Sequence, residues 1–274
     1  MVSGSKIKVM TIVFAVSIMI STIAYSIIFI ESTPAAAAKY TSPQIEVINT
    51  ATGGNINKNA EITNNAPKTE LTQQIISEAK KGTPMIKLGE GDPKIMIIAG
   101  VHGEELSPQI AALILINELQ GKKLKGTIYI VPFAIPKSSE KNTRDFNNID
   151  PNRAADIPGS PGNVLLAVAQ QKNVKFVGEF HSTQPGGEPG KKVVMCSKET
   201  SYESFKIAEF MRTATKSDIF LNSKNPGAVK NVFNSAGIPT VTSEVVAAHG
   251  TVNPQQVQES HDQMMAFINY SKIL

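Results

Sequence analysis

Apolar and polar positions along the chain alternate between short strand-like runs and helical stripes. Residues 95–101 form a continuous apolar run, which suits an inner strand of a sheet covered on both faces. Residues 107–119 follow, with Ile110, Leu113, Ile114 and Ile116 at helical spacing, Ser107 placed as the N-cap and Pro108 at the first helical position. The alternation then repeats. Further strands are expected over residues 126–132, 174–180, 192–196 and 238–246, and helices over 70–81, 163–171, 203–213, 228–235 and 254–270. On the last, amphipathic helix, Met264, Met265, Phe267 and Ile268 are expected to pack into the core. This order predicts an α/β fold, a single layered domain with a mostly parallel or mixed central sheet flanked by helices, over residues 69–274.

The pattern changes toward the N-terminus. Residues 9–30 are uncharged and almost wholly apolar, follow Lys6 and Lys8, and match the ~20 residues that span a bilayer as a helix. A cleavable signal peptide has a shorter apolar core, so residues 1–30 are read as a retained transmembrane anchor, with secretion after cleavage near Pro34-Ala35-Ala36-Ala37-Ala38 as the alternative. The two lysines stay on the cytoplasmic side, which places the rest of the chain outside the cell membrane. Residues 31–68, rich in Ala, Thr, Asn, Pro and Gly, are expected to form a flexible tether.

Charge and cysteine content remove several function classes. The net charge of +4 in 274 residues is spread without a dense Lys/Arg block, which argues against a nucleic-acid partner. Cys196 is the only cysteine, so a cysteine-rich metal site and an internal disulfide are excluded. Its expected role is that of a small buried hydrophobe.

Candidate chemistry lies where the apolar run of residues 95–101 ends. There Gly100 and Gly103 bracket His102, and the backbone can turn so that His102 and Glu105 aim into one space. A neutral imidazole and a carboxylate are two of the three protein ligands that a catalytic zinc needs. His181 leaves another apolar strand in the same way and supplies the third. Glu244 sits late in the last strand, where a carboxylate is costly to bury without a partner. Two imidazoles with one carboxylate make one zinc ion the first choice of metal.

The segments Ala99-Gly100-Val101-His102-Gly103-Glu104-Glu105, Asp150-Pro151-Asn152-Arg153, Glu179-Phe180-His181-Ser182-Thr183 and Thr242-Ser243-Glu244, in this order, resemble the zinc metallocarboxypeptidase superfamily. Within it the chain is similar to the succinylglutamate desuccinylase and aspartoacylase branch, from about residue 94 to the C-terminus. The resemblance implies that His102, Glu105 and His181 hold zinc and that Glu244 is the general base. It places Arg144 on the scissile carbonyl, and Asn152 and Arg153 on a substrate carboxylate. One departure is that Phe180 precedes His181 where the family pattern has an acid, the nearest acid being Glu179. Residues 185–190, turn-rich, are expected to border the pocket.

Other readings of these residues stand beside the functional ones. Arg144 pairs alternatively with Asp145 at the surface, and Arg153 with Asp150 or Asp156. Glu104 is read as an exposed acid, His249 as part of a surface loop with a place lining the site as the alternative, and His261 as exposed. The leading function is a membrane-anchored, extracytoplasmic zinc hydrolase acting on an N-acyl amino acid. The alternatives are a metallocarboxypeptidase trimming surface or cell-wall peptides and a non-catalytic binding module.

Overall fold

Strand β3 (Lys94–Ala99) forms where the chain is continuously apolar, and parallel neighbours pair with both of its edges: β4 (Thr127–Val131) and β5 (Phe176–Thr183). Neither face of β3 meets water. Ile95, Ile97 and Ala99 pack into one apolar cluster, whereas Met96 and Ile98 pack into another on the opposite face, as the period-2 geometry of a strand requires. The computed structural model of the protein describes residues 42–221 and 224–274.

The other strands are β1 (Gln44–Asn49), β2 (Thr83–Gly89), β6 (Val193–Cys196), β7 (Asp218–Leu221) and β8 (Thr240–Val246). Among the described residues all eight join one mixed sheet in the order β1-β2-β4-β3-β5-β8-β6-β7. The middle four run parallel, while β1, β2 and β6 pair antiparallel to their inner neighbours. One face carries α1 (Ala60–Asn65), α2 (Glu70–Ala79), α3 (Leu106–Leu119), α6 (Tyr202–Thr215) and α8 (Pro254–Ser271). The opposite face carries α5 (Pro161–Gln171) and α7 (Val229–Ser235), and α4 (Pro136–Lys141) lies after β4. The expected layered α/β domain is therefore observed, with a mixed sheet. Met264, Phe267 and Ile268 are buried in its core, and Cys196 is buried as expected, its thiol pushed up to about 11 by burial.

Several expectations need correction. Residues 42–68 are not a loose tether. Gln44-Ile45-Glu46-Val47 alternates polar and apolar as an edge strand does, and it pairs with β2, while Ile56 and Ile62 are fully buried. Residues 31–41 of the expected tether and the apolar run 9–30 lie outside the described residues. No helix among the described residues is long and apolar enough to cross a membrane. Ser107 does not cap α3: the helix begins at Leu106, two residues before the expected start, and Glu105 stands at the cap with its carboxylate turned elsewhere. β5 runs on through Thr183, so His181 lies inside a strand rather than beyond its end. His261 is half-buried, with Nε2 2.8 Å from Glu118 Oε2.

The folded status of the N-terminal segment has a measurable consequence. Truncating a buried isoleucine removes its transfer energy and leaves a cavity, so Ile62→Ala is expected to destabilise the domain by about 2–5 kcal/mol in urea unfolding. A tether would register no change.

Candidate metal centre

The turn after β3 is shaped so that two donors face the sheet. Gly100 adopts a left-handed φ of +71°, and a Cβ at Gly103 would lie 2.0 Å from the Ser138 carbonyl carbon, so neither position accepts a larger residue without a shift. Buried Gln109, from α3, locks the turn: its Nε2 donates to the carbonyls of Glu105 (2.9 Å), Gly103 (3.1 Å) and His102 (3.4 Å). That fixes His102 and Glu105 on one side. His181 arrives from β5, and β5–β8 pairing sets it directly opposite Glu244.

His102, Glu105 and His181 are buried, and one donor atom from each lies within 4.8 Å of the others. Nδ1 of His102 is 2.7 Å from Glu105 Oε1, and Nδ1 of His181 is 2.7 Å from Glu105 Oε2. Both inner nitrogens thus converge on one carboxylate. The outer nitrogens face other acids. His102 Nε2 is 2.9 Å from Asp150 Oδ1, and His181 Nε2 is 2.8 Å from Glu179 Oε1. Carboxylates on the outer nitrogens orient an imidazole and raise its basicity toward a metal on the inner one.

The electrostatics follow from this packing. Burial alone would lower His181, but Glu105 and Glu179 outweigh it and hold its pKa well above the usual histidine value. His102 is raised against burial by Glu105 and Asp150. Burial favours a protonated Glu105, yet the two imidazoles hold its carboxyl well below the usual range. Asp150 is likewise held low, against burial, by His102 and Arg144. Such a site attracts a cation that can take the place of the imidazole protons. The donor set, buried and made of two nitrogens and a carboxylate oxygen, fits one zinc ion.

Glu244 differs from these acids. The residue is half-buried, but its Oε2 reaches neither water nor a hydrogen-bond partner. Burial, followed by the negative charge of Glu105, pushes its pKa up to about 8. An orphaned carboxylate oxygen beside a metal-type donor set is what a proton acceptor for hydrolysis requires.

A cavity of about 580 Å³ opens over these groups and brings together every residue singled out in the sequence: His102, Glu105, Arg144, Asn152, Arg153, His181 and Glu244. Arg144 pairs with Asp150, not Asp145, through Nη2 at 2.9 Å and Nε at 3.2 Å, and its Nη1 stands 3.6 Å from Glu105 Oε1. Asn152 accepts from the Val229 amide at 2.8 Å, which ties the 3-10 turn Pro151–Arg153 to α7. Arg153 is exposed, donates to the Asn152 carbonyl at 2.7 Å and forms no ion pair with Asp150 or Asp156. Gln184, Gly187, Glu188 and Pro189 border the cavity, as expected of that loop.

Sequence reasoning missed three contributors and ranked a fourth, His249, second. Asp150 and Glu179 act on the histidines from outside. Lys230 lines the cavity, buried, with Nζ 2.8 Å from Ser197 Oγ and its pKa lowered to about 8 by burial. His249 is no surface-loop residue: it lines the cavity, and Glu104 lies beside it rather than in open solvent.

A sheet that gathers two histidines and a glutamate at its carboxyl ends, with an orphaned second glutamate beside them, defines a catalytic domain of the metallohydrolase class. Residues 91–270 match the succinylglutamate desuccinylase/aspartoacylase catalytic domain, and the chain belongs to that family. No curated protein matches it by sequence.

Solved structures with the same fold include a succinylglutamate desuccinylase/aspartoacylase from Rhodobacter sphaeroides, at 17% identity and a TM-score of 0.54, covering 72% of this chain and 61% of that one. The product-bound ectoine utilization protein of Ruegeria pomeroyi gives 16% identity and a TM-score of 0.56, covering 71% and 63%. A metallo-carboxypeptidase from Burkholderia cenocepacia gives 13% identity and a TM-score of 0.56, covering 85% and 65%. The chain thus spans less than two thirds of the length of each of these structures, and the likeness at such identities is one of fold.

Proposed function

We propose that the chain is a membrane-anchored, extracytoplasmic zinc-dependent hydrolase that cleaves the amide bond of an N-acyl amino acid or a similar substrate. One observation carries the reading: Glu244 faces His181 across β5 and β8, lines the cavity that holds the donor set, and leaves one buried carboxylate oxygen without a partner. His102, Glu105 and His181 would hold the zinc ion, which when bound supplies Lewis acidity to acidify water and polarise a carbonyl. The Glu244 carboxylate is the group that accepts the proton from the attacking water. Arg144, lining the same cavity, offers its guanidinium to the oxygen that gains negative charge.

The substrate side of the reading rests on the cavity's cations. The exposed fork of Arg153 beside Asn152 matches a carboxylate with two parallel hydrogen bonds. Lys224 and Lys230 line the cavity as well, which favours an anionic substrate. Anchoring rests on the uncharged apolar run 9–30 after Lys6 and Lys8, the charge bias that keeps the following domain outside.

The test is a substrate panel on the zinc-loaded full chain. Release of free amino acid from N-succinyl and N-acetyl amino acids, and none from unblocked peptides, is the expected outcome. Release of C-terminal residues from peptides would instead favour a metallocarboxypeptidase of surface or cell-wall peptides. Turnover of neither would leave a binding module on the same fold. Among the acylated substrates, Arg153→Ala is expected to raise KM with a smaller change in kcat, because a carboxylate clamp remote from the reacting bond acts through binding.

A further inference from the structure

The three metal donors come from two segments that are far apart in sequence, the turn after β3 and the end of β5. The β3–β5 pairing joins them as far as Ala99 and Phe180 and stops before the turn itself. The loop after β8 continues the link at four points. Ala247 N donates to Thr183 O at 2.9 Å, and Gly250 N donates to Glu104 O at 2.8 Å. Between them, His249 lies 2.9 Å through Nε2 from Ser182 O; a carbonyl only accepts, so Nε2 carries the proton. On the other side of the ring, Nδ1 packs 2.9 Å from Glu104 Oε1, out of hydrogen-bonding line.

Glu104 adjoins Glu105, and Ser182 adjoins His181, so each contact of the His249 ring is one residue from a metal donor. Ser182 is bound to the site a second time, its amide donating to Glu105 Oε2 at 3.0 Å. The loop itself is braced from behind. Asn142 Nδ2 donates to Gly250 O at 3.1 Å, and Val252 N donates to Glu61 Oε2 at 3.1 Å. A side chain fixed in this way transmits rigidity to what it touches.

We propose that His249 is a positioning residue of the metal centre: its ring clasps the turn bearing His102 and Glu105 to the strand end bearing His181. The clasp keeps the three donors at mutual binding distance before a cation arrives, which lowers the ordering cost of metal binding. It rests on the metal reading given above. Residues that orient donors without ligating are worth about 10- to 100-fold in metal affinity.

The experiment is zinc binding to the full chain, measured by competition with a chromophoric chelator. His249→Leu, which has no donor for Ser182 O, is expected to bind zinc about 10- to 100-fold more weakly than the native chain. His249→Gln can still donate to that carbonyl and is expected to recover most of the loss. His249→Asn, polar but too short to span both segments, should behave as the leucine variant does and guards against a variant that misfolds. Cobalt substituted for zinc adds a spectroscopic readout, its visible bands shifting in His249→Leu and returning in His249→Gln. A residue that only stabilised the loop would lower the melting temperature and leave affinity and spectrum alone. If the native chain binds zinc and His249→Leu and His249→Asn bind it equally well, the clasp is wrong while the metal reading stands. A native chain that binds no zinc removes both.

Discussion

Glu244→Gln is expected to keep its zinc and lose about 10²- to 10⁴-fold in kcat, the usual worth of a general base. The same substitution should make the metal-free chain more resistant to unfolding at neutral and mildly alkaline pH. In the folded metal-free chain the Glu244 carboxyl keeps its proton up to about 8, against an ordinary value of 4.5; the charge of a bound cation would lower it and free the carboxylate to act as a base. Between those values the folded chain binds more protons than the unfolded one, so stability falls as pH rises through that window. A glutamine has no charge to suppress. Native and variant chains should therefore unfold alike near pH 4.5, and the variant should be the more stable by pH 8. A variant that turned over at the native rate would remove Glu244 from the chemistry. One that lost zinc would make it a ligand rather than a base.

His181→Ala carries the largest expected penalty in folding as well as in metal binding. His181 stands between Glu105 and Glu179, both buried: it is the main charge holding Glu179 low, and it acts after His102 in holding Glu105 low. Removing one partner of a buried pair costs about 3–5 kcal/mol, since a buried charge is left without compensation. His102→Ala should also abolish zinc binding but unfold less readily. Its outer partner Asp150 is more exposed than Glu179 and keeps Arg144. Urea midpoints of the two metal-free variants test the order, and a His102→Ala chain as unstable as His181→Ala would contradict it. The gap should narrow in acid. Carboxyls held low by a partner stabilise the fold above their unfolded pKa and lose that contribution as pH falls, so there is less to remove there.

The parts of the site carried by local sequence were legible without a structure. His102 and Glu105 are three residues apart after an apolar run, and backbone geometry alone brings them together. Their outer partners were not. Asp150 reaches His102 across 48 residues, a contact made only by the folded chain. Glu179 was misplaced by looking for an acid next to His181 in sequence. In a strand, residues two apart share a face, so Glu179 meets His181 while Phe180 points into the core on the other side. For His249 a surface loop outweighs a place in the site on sequence alone, because an Ala-Ala-His-Gly loop carries no sign of what it will touch.

The same holds for the fold. Continuous apolar runs located β3, β4 and β5, whose burial on both faces leaves a strong signal. The N-terminal edge strand is half-exposed and flanked by Ala, Asn, Thr and Gly, so composition over the whole segment hid the four-residue alternation that makes it a strand. Ser107 is a good cap by type. Glu105 takes the cap position because its carboxylate is committed to two imidazoles and fixes where the turn ends.

The central claim is that His102, Glu105 and His181 hold one zinc ion, and calorimetric titration of the metal-free full chain with zinc tests it directly. Saturation at one ion per chain, with proton release as the raised imidazoles give up their protons, is the expected result, together with loss of binding in Glu105→Gln. No saturable binding by the native chain, or undiminished binding by Glu105→Gln, would contradict the account.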